Sequence, residues 1–216
     1  MTKYNHRQGH SINCRGARGY LDEVDVCSLV NKYVREYLKQ VGECGVDCTS
    51  ICSGINSDLF QGISKNNSNK AEYFISIHAN AGGGTGSEVW VHPNTSQENK
   101  NKANQVCNKL EILGFKKRGV KTSAGLYELN RTNNKAMIIE LFFLDNKNDC
   151  DKYKAIGPQR IAKAIVEGLT GKSISEQKPS NKLYRVQVGA FSQKSNAENL
   201  KKELEKKGYK PYITEN

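Results

Sequence analysis

Residues 136–144 read AMIIELFFL, nine positions in which a single carboxylate interrupts apolar side chains. The run is far too short to span a membrane and reads as a strand buried on both faces. Such a strand needs cover above and below, which narrows the fold to a sheet with helices on its faces. Glu140 in its middle is then an anomaly, because an ionised carboxylate is too costly to bury without a partner or a task.

The rest of the chain supplies the covering layers. Val26, Leu29, Val30, Tyr33, Val34, Tyr37 and Leu38 recur at three- and four-residue steps, which predicts an amphipathic helix ending near Gly42. GVDCTSI reads as a short strand, a helix is expected around residues 58–71, and YFISIH and GSEVWVHP read as strands, the second stopped by Pro93. SQENKNKANQVCNKLEILG returns to helical spacing, and QRIAKAIVEGLTG is a helix closed by Gly171. Strands alternating with helices predict an α/β architecture.

Beyond Gly171 the pattern changes. Residues 172–181 are polar and aperiodic and read as a linker between a main domain, 1–171, and a small unit, 182–216. In that unit KLYRVQVGAF alternates as a strand, SNAENLKKELEKKG reads as a helix with Ser195 or Asn196 as N-cap, and YKPYITEN opens a third element. A β-α-β piece of this size has little capacity to bury a core of its own.

The formal charge of +11, from 33 Lys and Arg against 22 Asp and Glu, predicts attraction to polyanions. The basic residues are dispersed, without the aromatic-interleaved stripe of nucleic-acid binders, so nucleic acid is not the expected partner. Seven cysteines at spacings that match no zinc-finger or knottin framework read as reduced thiols, and Cys44, Cys48 and Cys52 as a strand running into a loop. No apolar stretch has the length of a membrane span.

Metal-assisted hydrolysis needs nitrogen and carboxylate ligands from separate element ends, with one coordination position left for water. His10 follows Gly9 at the end of the first extended segment, Glu23 stands at the edge of the first helix, and His78 ends the YFISIH strand. Element ends are where active sites of open α/β sheets gather. Each residue also has an ordinary role open to it: a turn histidine, a glutamate favoured by the helix dipole, or, for Glu140, an edge-strand side chain facing solvent. Their conjunction points to a metal hydrolase. His92 reads as structural or solvated and His6 as an exposed strand residue. The run from Gly82 to Gly86 reads as a flexible loop, since no Lys-Ser/Thr follows to complete a phosphate cradle.

At these residues the sequence resembles the zinc-dependent N-acetylmuramoyl-L-alanine amidases of the type-3 class, in their clostridial and phage-endolysin branch, over about residues 3–170. The matching segments are QGHS with His10, YLDEVD with Glu23, SIHANAGGGTGSEVW with His78 and IIELFFLDN with Glu140. The resemblance implies a mixed twisted sheet flanked by helices and one Zn2+ ion held by His10, Glu23 and His78. It further implies Glu140 as the catalytic carboxylate and Asn80 and Arg131 as substrate contacts. Asp22 adjoins Glu23, but Glu23 holds the family's place relative to the helix.

The implied reaction is hydrolysis of the amide joining N-acetylmuramic acid to L-alanine in peptidoglycan. A zinc peptidase cutting within the stem peptide and a noncatalytic peptidoglycan-binding protein are the competing readings. The tail resembles the first half of a SPOR domain, a ferredoxin-like wall-binding module. Peptidoglycan, glycan strands with stem peptides, is thus the implied partner, and anionic wall polymers suit the charge. MTKYNHRQGH lacks the apolar run of an export signal. The expectation is therefore a phage-type endolysin or autolysin, made in the cytoplasm and acting at the cell wall after release through membrane pores or lysis.

Overall fold

The computed structural model describes residues 2–175 and 186–214. The chain separates into two units, Met1–Ser175 and Glu176–Asn216. Along the first unit run β1 (Tyr4–Gln8), α1 (Glu23–Gln40), α2 (Ile55–Asn67), β2 (Tyr73–Asn80), β3 (Ser87–Val91), α3 (Gln97–Ile112), β4 (Lys117–Thr122), α4 (Tyr127–Asn130), β5 (Lys135–Phe143), α5 (Lys147–Ile156) and α6 (Pro158–Thr170). The second holds α7 (Lys194–Lys206). Among the described residues no helix is long and apolar enough to cross a membrane.

The sheet order is β1-β2-β5-β3-β4, with β1, β2 and β5 mutually parallel, β3 antiparallel to β5, and β4 parallel to β3. It is the mixed sheet expected, and β5 takes the central place that its apolar run demands. Met137, Ile139 and Leu141 of β5 join the larger core with Val26, Val30, Val34 and Leu38 of α1, Val106 and Leu110 of α3, and Ile161, Ile165 and Leu169 of α6. Each such side chain contributes about 1.5–3 kcal/mol through removal from water. The opposite face carries a thinner layer, in which Ile63 of α2 and Leu129 of α4 pack against Phe74, Ala136 and Ile138.

Strand alternation then sorts the polar residues. On β1, His6 pairs with Asn31 of α1, while Asn5 and Arg7 reach the other way to Asn66 and Asp58 of α2. On β2, Ser76 and His78 both meet Glu128 of α4. Glu140 lies two and four residues beyond Ile138 and Ala136 and so shares their face, the one covered by α2 and α4.

Several local expectations are corrected. His6 is buried, not exposed, because α1 covers that face of β1, and its Nδ1 lies 2.8 Å from Asn31 Oδ1. GVDCTSI forms only an isolated bridge to β1, Asp47 to His6, with Cys44 just before it bridging Lys3, because the Asp47 carboxylate accepts from both Thr49 N and Thr49 Oγ1 and turns the chain away. β4, α4 and α5 carry too little apolar periodicity to be predicted. The glycine run is tied down: Gly82 N and Gly83 N donate to Asp145 Oδ2 at 2.8 and 2.7 Å, and Asn146 Nδ2 donates to Gly84 O at 3.0 Å.

In the second unit α7 starts ahead of the expected Ser195 or Asn196 cap, with Gln193 in the N-cap place and no side-chain capping bond. Residues 186–191 and 209–214, expected as strands, form no ladder among the described residues, and 182–185 of the first lie outside them. Extended chain becomes a strand only where a neighbour takes up its N–H and C=O groups.

The buried Asp149 holds the glycine run to the end of β5, accepting from Thr85 Oγ1 at 3.0 Å, Gly86 N at 2.7 Å and Phe143 N at 3.2 Å. Asp149→Ala leaves those donors unpaired, and we expect a loss of about 3 kcal/mol in urea unfolding. Asp145→Ala, at an exposed carboxylate, is expected to shift the midpoint far less.

Candidate metal centre

Among the described residues, the histidine and acidic side chains gathered closely enough to hold a metal ion are His10, Glu23 and His78, with one ligand atom from each within 4.8 Å of the others. They arrive from three places in the chain. β2 delivers His78 near its carboxyl end. β1 delivers His10 just past its own end, where Gly9 N continues the ladder by donating to Ile77 O at 2.7 Å and Gln8 Nε2 donates to His10 O at 2.9 Å. The amino end of α1 delivers Glu23.

Asp22 and Glu23 divide their duties clearly. Asp22 is the N-cap of α1, accepting from Val24 N, and pairs with Arg15. Glu23 is buried and turns inward, with Oε2 3.4 Å from His10 Nε2 and Oε1 3.2 Å from His78 Nδ1. Its two oxygens also accept backbone hydrogen bonds, Oε2 from Ala17 N at 2.7 Å and Oε1 from Ala79 N at 3.1 Å. A carboxylate held in this way is already oriented before anything binds.

Two glycines make the convergence possible. A Cβ built on Gly9 would lie 2.1–2.3 Å from atoms of the His78 ring, so only glycine lets the imidazole lie against this backbone. Gly16 has φ +75° and its Cβ would fall 2.3 Å from Glu23 Oε2, which combines a left-handed backbone with the same lack of room. The two imidazoles meet edge to face with centroids 5.1 Å apart.

The electrostatics favour a cation. Burial alone would lower the basicity of His78, but hydrogen bonds with Glu128 and Glu23 outweigh it and push its pKa up to about 10. Burial chiefly lowers that of His10. For Glu23, burial works toward protonation and the nearby histidines and the Ala17 amide more than offset it, so the carboxyl titrates below its ordinary range. Two imidazoles and a carboxylate are a donor set that suits zinc and leaves a fourth position free.

Beside this cluster lies a cavity of about 270 Å³ lined by His10, His78, Asp58, Glu128 and Glu140 with Ile55, Leu59, Leu126, Tyr127 and Ile138. Glu140 is the in-register partner of His78 on the neighbouring strand. Its Oε2 is buried without a hydrogen-bond partner, and burial raises its pKa to about 7. An unpaired carboxyl oxygen at the wall of a cavity is the arrangement expected of a group that exchanges protons with a ligand.

The remaining expected site residues sit further out. Asn80 Nδ2 donates to Glu88 Oε1 at 3.2 Å, and Glu88 is also held by Arg118 Nε at 2.7 Å. Arg131 is exposed at the C-cap of α4, where its carbonyl accepts from Asn67 Nδ2, and it is not among the cavity-lining residues. Glu128 is a residue the sequence reading missed: it is buried, 3.0 Å from His78 Nε2, and part of the cavity wall. The available signal was a glutamate between Tyr127 and Leu129 in LYELN, a stretch too short to read as a buried element, unlike the nine-residue run around Glu140.

Comparison with known proteins places the chain in a family. Residues 7–171 match the family described as N-acetylmuramoyl-L-alanine amidase, and residues 180–216 match the SPOR domain. The chain is 37% identical over 145 residues to the N-acetylmuramoyl-L-alanine amidase CwlM of Bacillus licheniformis, covering 66% of this chain and 56% of that protein. It is 33% identical over 141 residues to the sporulation-specific N-acetylmuramoyl-L-alanine amidase of Bacillus subtilis, covering 64% and 55%. The chain thus spans little more than half the length of these curated relatives. Among solved structures, the catalytic domain of the CD27L endolysin targeting Clostridia Difficile superposes with a TM-score of 0.74 at 33% identity, over 81% of this chain and all of that one.

The Gly9 contact yields a direct test of the centre. Gly9→Ala forces the His78 ring away from its place, so we expect the variant to keep its far-ultraviolet circular dichroism yet fail to retain a zinc ion through gel filtration, as read by elemental analysis. Equal zinc retention by the variant and the unmodified chain would show that the ring position does not matter.

Proposed function

Because the chain belongs to the N-acetylmuramoyl-L-alanine amidase family, we propose that it hydrolyses the amide between N-acetylmuramic acid and L-alanine in peptidoglycan, with one zinc ion held by His10, Glu23 and His78. The observation that carries this reading is the opening of the His10, Glu23 and His78 cluster onto the same cavity as the unpaired Glu140 oxygen. In the reaction water adds across the bond, the lactyl carbonyl carbon gains its oxygen, the carbon–nitrogen bond breaks, and alanine leaves as a free amine.

A zinc ion bound there supplies a Lewis acid for the amide carbonyl and lowers the pKa of water toward neutrality. Glu140 takes a proton from the attacking water at Oε2 and returns it to the departing nitrogen. Its burial keeps that oxygen free of competing donors. Ile55, Leu59, Leu126, Tyr127 and Ile138 give the cavity an apolar wall that suits the methyl groups of the lactyl and alanyl units. Asn80 and Arg131 are assigned to the outer rim, where the stem peptide continues. The aliphatic character of this wall favours the amidase reading over cleavage between polar stem residues.

We further assign residues 1–171 to catalysis, 172–181 to a linker and 182–216 to wall attachment, in a protein acting on the cell wall as an endolysin or autolysin. The support is the SPOR match, the endolysin likeness and the basic charge, which suits an anionic wall.

Digestion of purified peptidoglycan followed by end-group analysis tests the reaction. Free alanine amino groups are expected to appear with no new reducing sugars. Glu140→Gln is expected to lower the rate by at least about 100-fold, and chelation of zinc to abolish it. New reducing ends would assign the activity to glycan cleavage instead.

A further inference from the structure

His78 is held at both ring nitrogens, and only one of them lies beside Glu23. Nδ1 lies 3.2 Å from Glu23 Oε1, and Nε2 lies 3.0 Å from Glu128 Oε2 on the opposite side of the ring. A histidine that ligates a metal must keep one nitrogen unprotonated, and the hydrogen bond made by the other decides which nitrogen that is.

Glu128 is itself fastened. Its other oxygen, Oε1, accepts from Ser76 Oγ at 2.9 Å and lies 3.3 Å from Arg7 Nη1. Arg7 is completely buried, and its Nη2 donates to Asp58 Oδ2 at 2.5 Å and to Gly9 O at 2.6 Å, while Nε donates to Gln8 O at 2.9 Å. One guanidinium therefore hydrogen-bonds the backbone immediately before His10 through Nη2, while Nη1, which makes no hydrogen bond, stands in ion-pair range of the carboxylate that meets His78. A rigid planar fork is suited to that double task, because each contact restrains the others. α2 holds the fork from behind: a Cβ on Gly62 would stand 2.3 Å from Arg7 Nη1.

We propose that Glu128 is a positioning residue for the metal centre: by accepting the Nε2 proton of His78 it fixes the tautomer that offers Nδ1 beside Glu23, and Arg7 holds Glu128 and the Gly9–His10 segment in one frame. The assignment rests on the reading that His10, Glu23 and His78 bind the metal. Glu128 touches neither the metal nor the scissile bond in this scheme; it acts through the imidazole. The alternative is that Glu128 only neutralises Arg7, in which case its charge matters for folding and not for the metal.

Zinc affinity separates the two roles, because a stability defect does not alter the dissociation constant of the folded protein. Competition with a chromophoric chelator on the full chain is expected to show one tight site in the unmodified protein. Glu128→Gln, which keeps the size and an acceptor oxygen but loses the charge, is expected to bind about 10-fold more weakly, and Glu128→Ala up to about 100-fold. Urea unfolding of each metal-free variant, run alongside, confirms that the folded form is being titrated. Long-range nitrogen–proton spectra of the zinc-loaded protein give a second readout independent of any variant, with the proton of His78 expected on Nε2. Unchanged zinc affinity in both Glu128 variants, or a His78 proton on Nδ1, overturns the role of Glu128 while leaving the metal site standing. Absence of zinc binding by the unmodified chain overturns the metal site and this inference together.

Discussion

The register of β1, β2 and β5 is the constraint on which the site depends. Parallel pairing sets Arg7 beside Ser76, Ser76 beside Ile138, and His78 beside Glu140. Since side chains alternate between faces, these partners all project toward α2 and α4, and a slip of one residue in any strand would send its member into the larger core. That slip is opposed by Ile75, Ile77, Met137 and Ile139, fully buried on the other face. The apolar half of each strand thus fixes the position of its polar half. The stability of the core and the geometry of the site are two consequences of one hydrogen-bond ladder.

Within that frame the unusual feature is how little space is left between backbone and functional side chain. Gly9 lies against the His78 ring, Gly16 against Glu23 and His10, and Gly62 against Arg7. Close packing of this kind removes rotamer freedom from His78, His10, Glu23 and Arg7. The two backbone donors on Glu23 do the same for its carboxylate. The ordering cost of these side chains lies in folding, so an ion bound as proposed would bear little of it.

What the sequence disclosed follows from what periodicity and composition can express. The α/β architecture, the central strand and the long helices were legible because each carries an apolar stripe of the right period. His10, Glu23, His78 and Glu140 were legible because each stands at an element end or breaks an apolar run. Glu128 has neither property: it lies on a single helical turn, and its importance comes from His78 and Arg7, residues distant from it in the chain. His6 failed for the same reason, since its burial depends on α1 arriving above β1. The glycine run failed differently. Its composition suggests freedom, but Asp145 and Asp149, well downstream, take up its amides. Long-range hydrogen bonds between irregular segments leave no periodic trace.

The chain is strongly basic overall, yet its site is a concentration of acid. Glu88 of β3 and Glu140 of β5, paired in register, gather with Glu23 at the start of α1 and Glu128 on α4, with Asp58 close behind. The two signs act over different distances. The excess of Lys and Arg is dispersed over an exposed surface, where its field reaches about a Debye length, roughly 8 Å at physiological salt, and acts on large anions as they approach. The carboxylates are buried, where screening is weak and each must be balanced at contact distance. Arg118 balances Glu88, and Arg7 lies between Asp58 and Glu128. The cationic side chains near Glu23 and Glu140 are the histidines. A divalent cation held by His10, Glu23 and His78, as proposed, would supply positive charge at that point, so the local excess of acid would contribute to binding the ion.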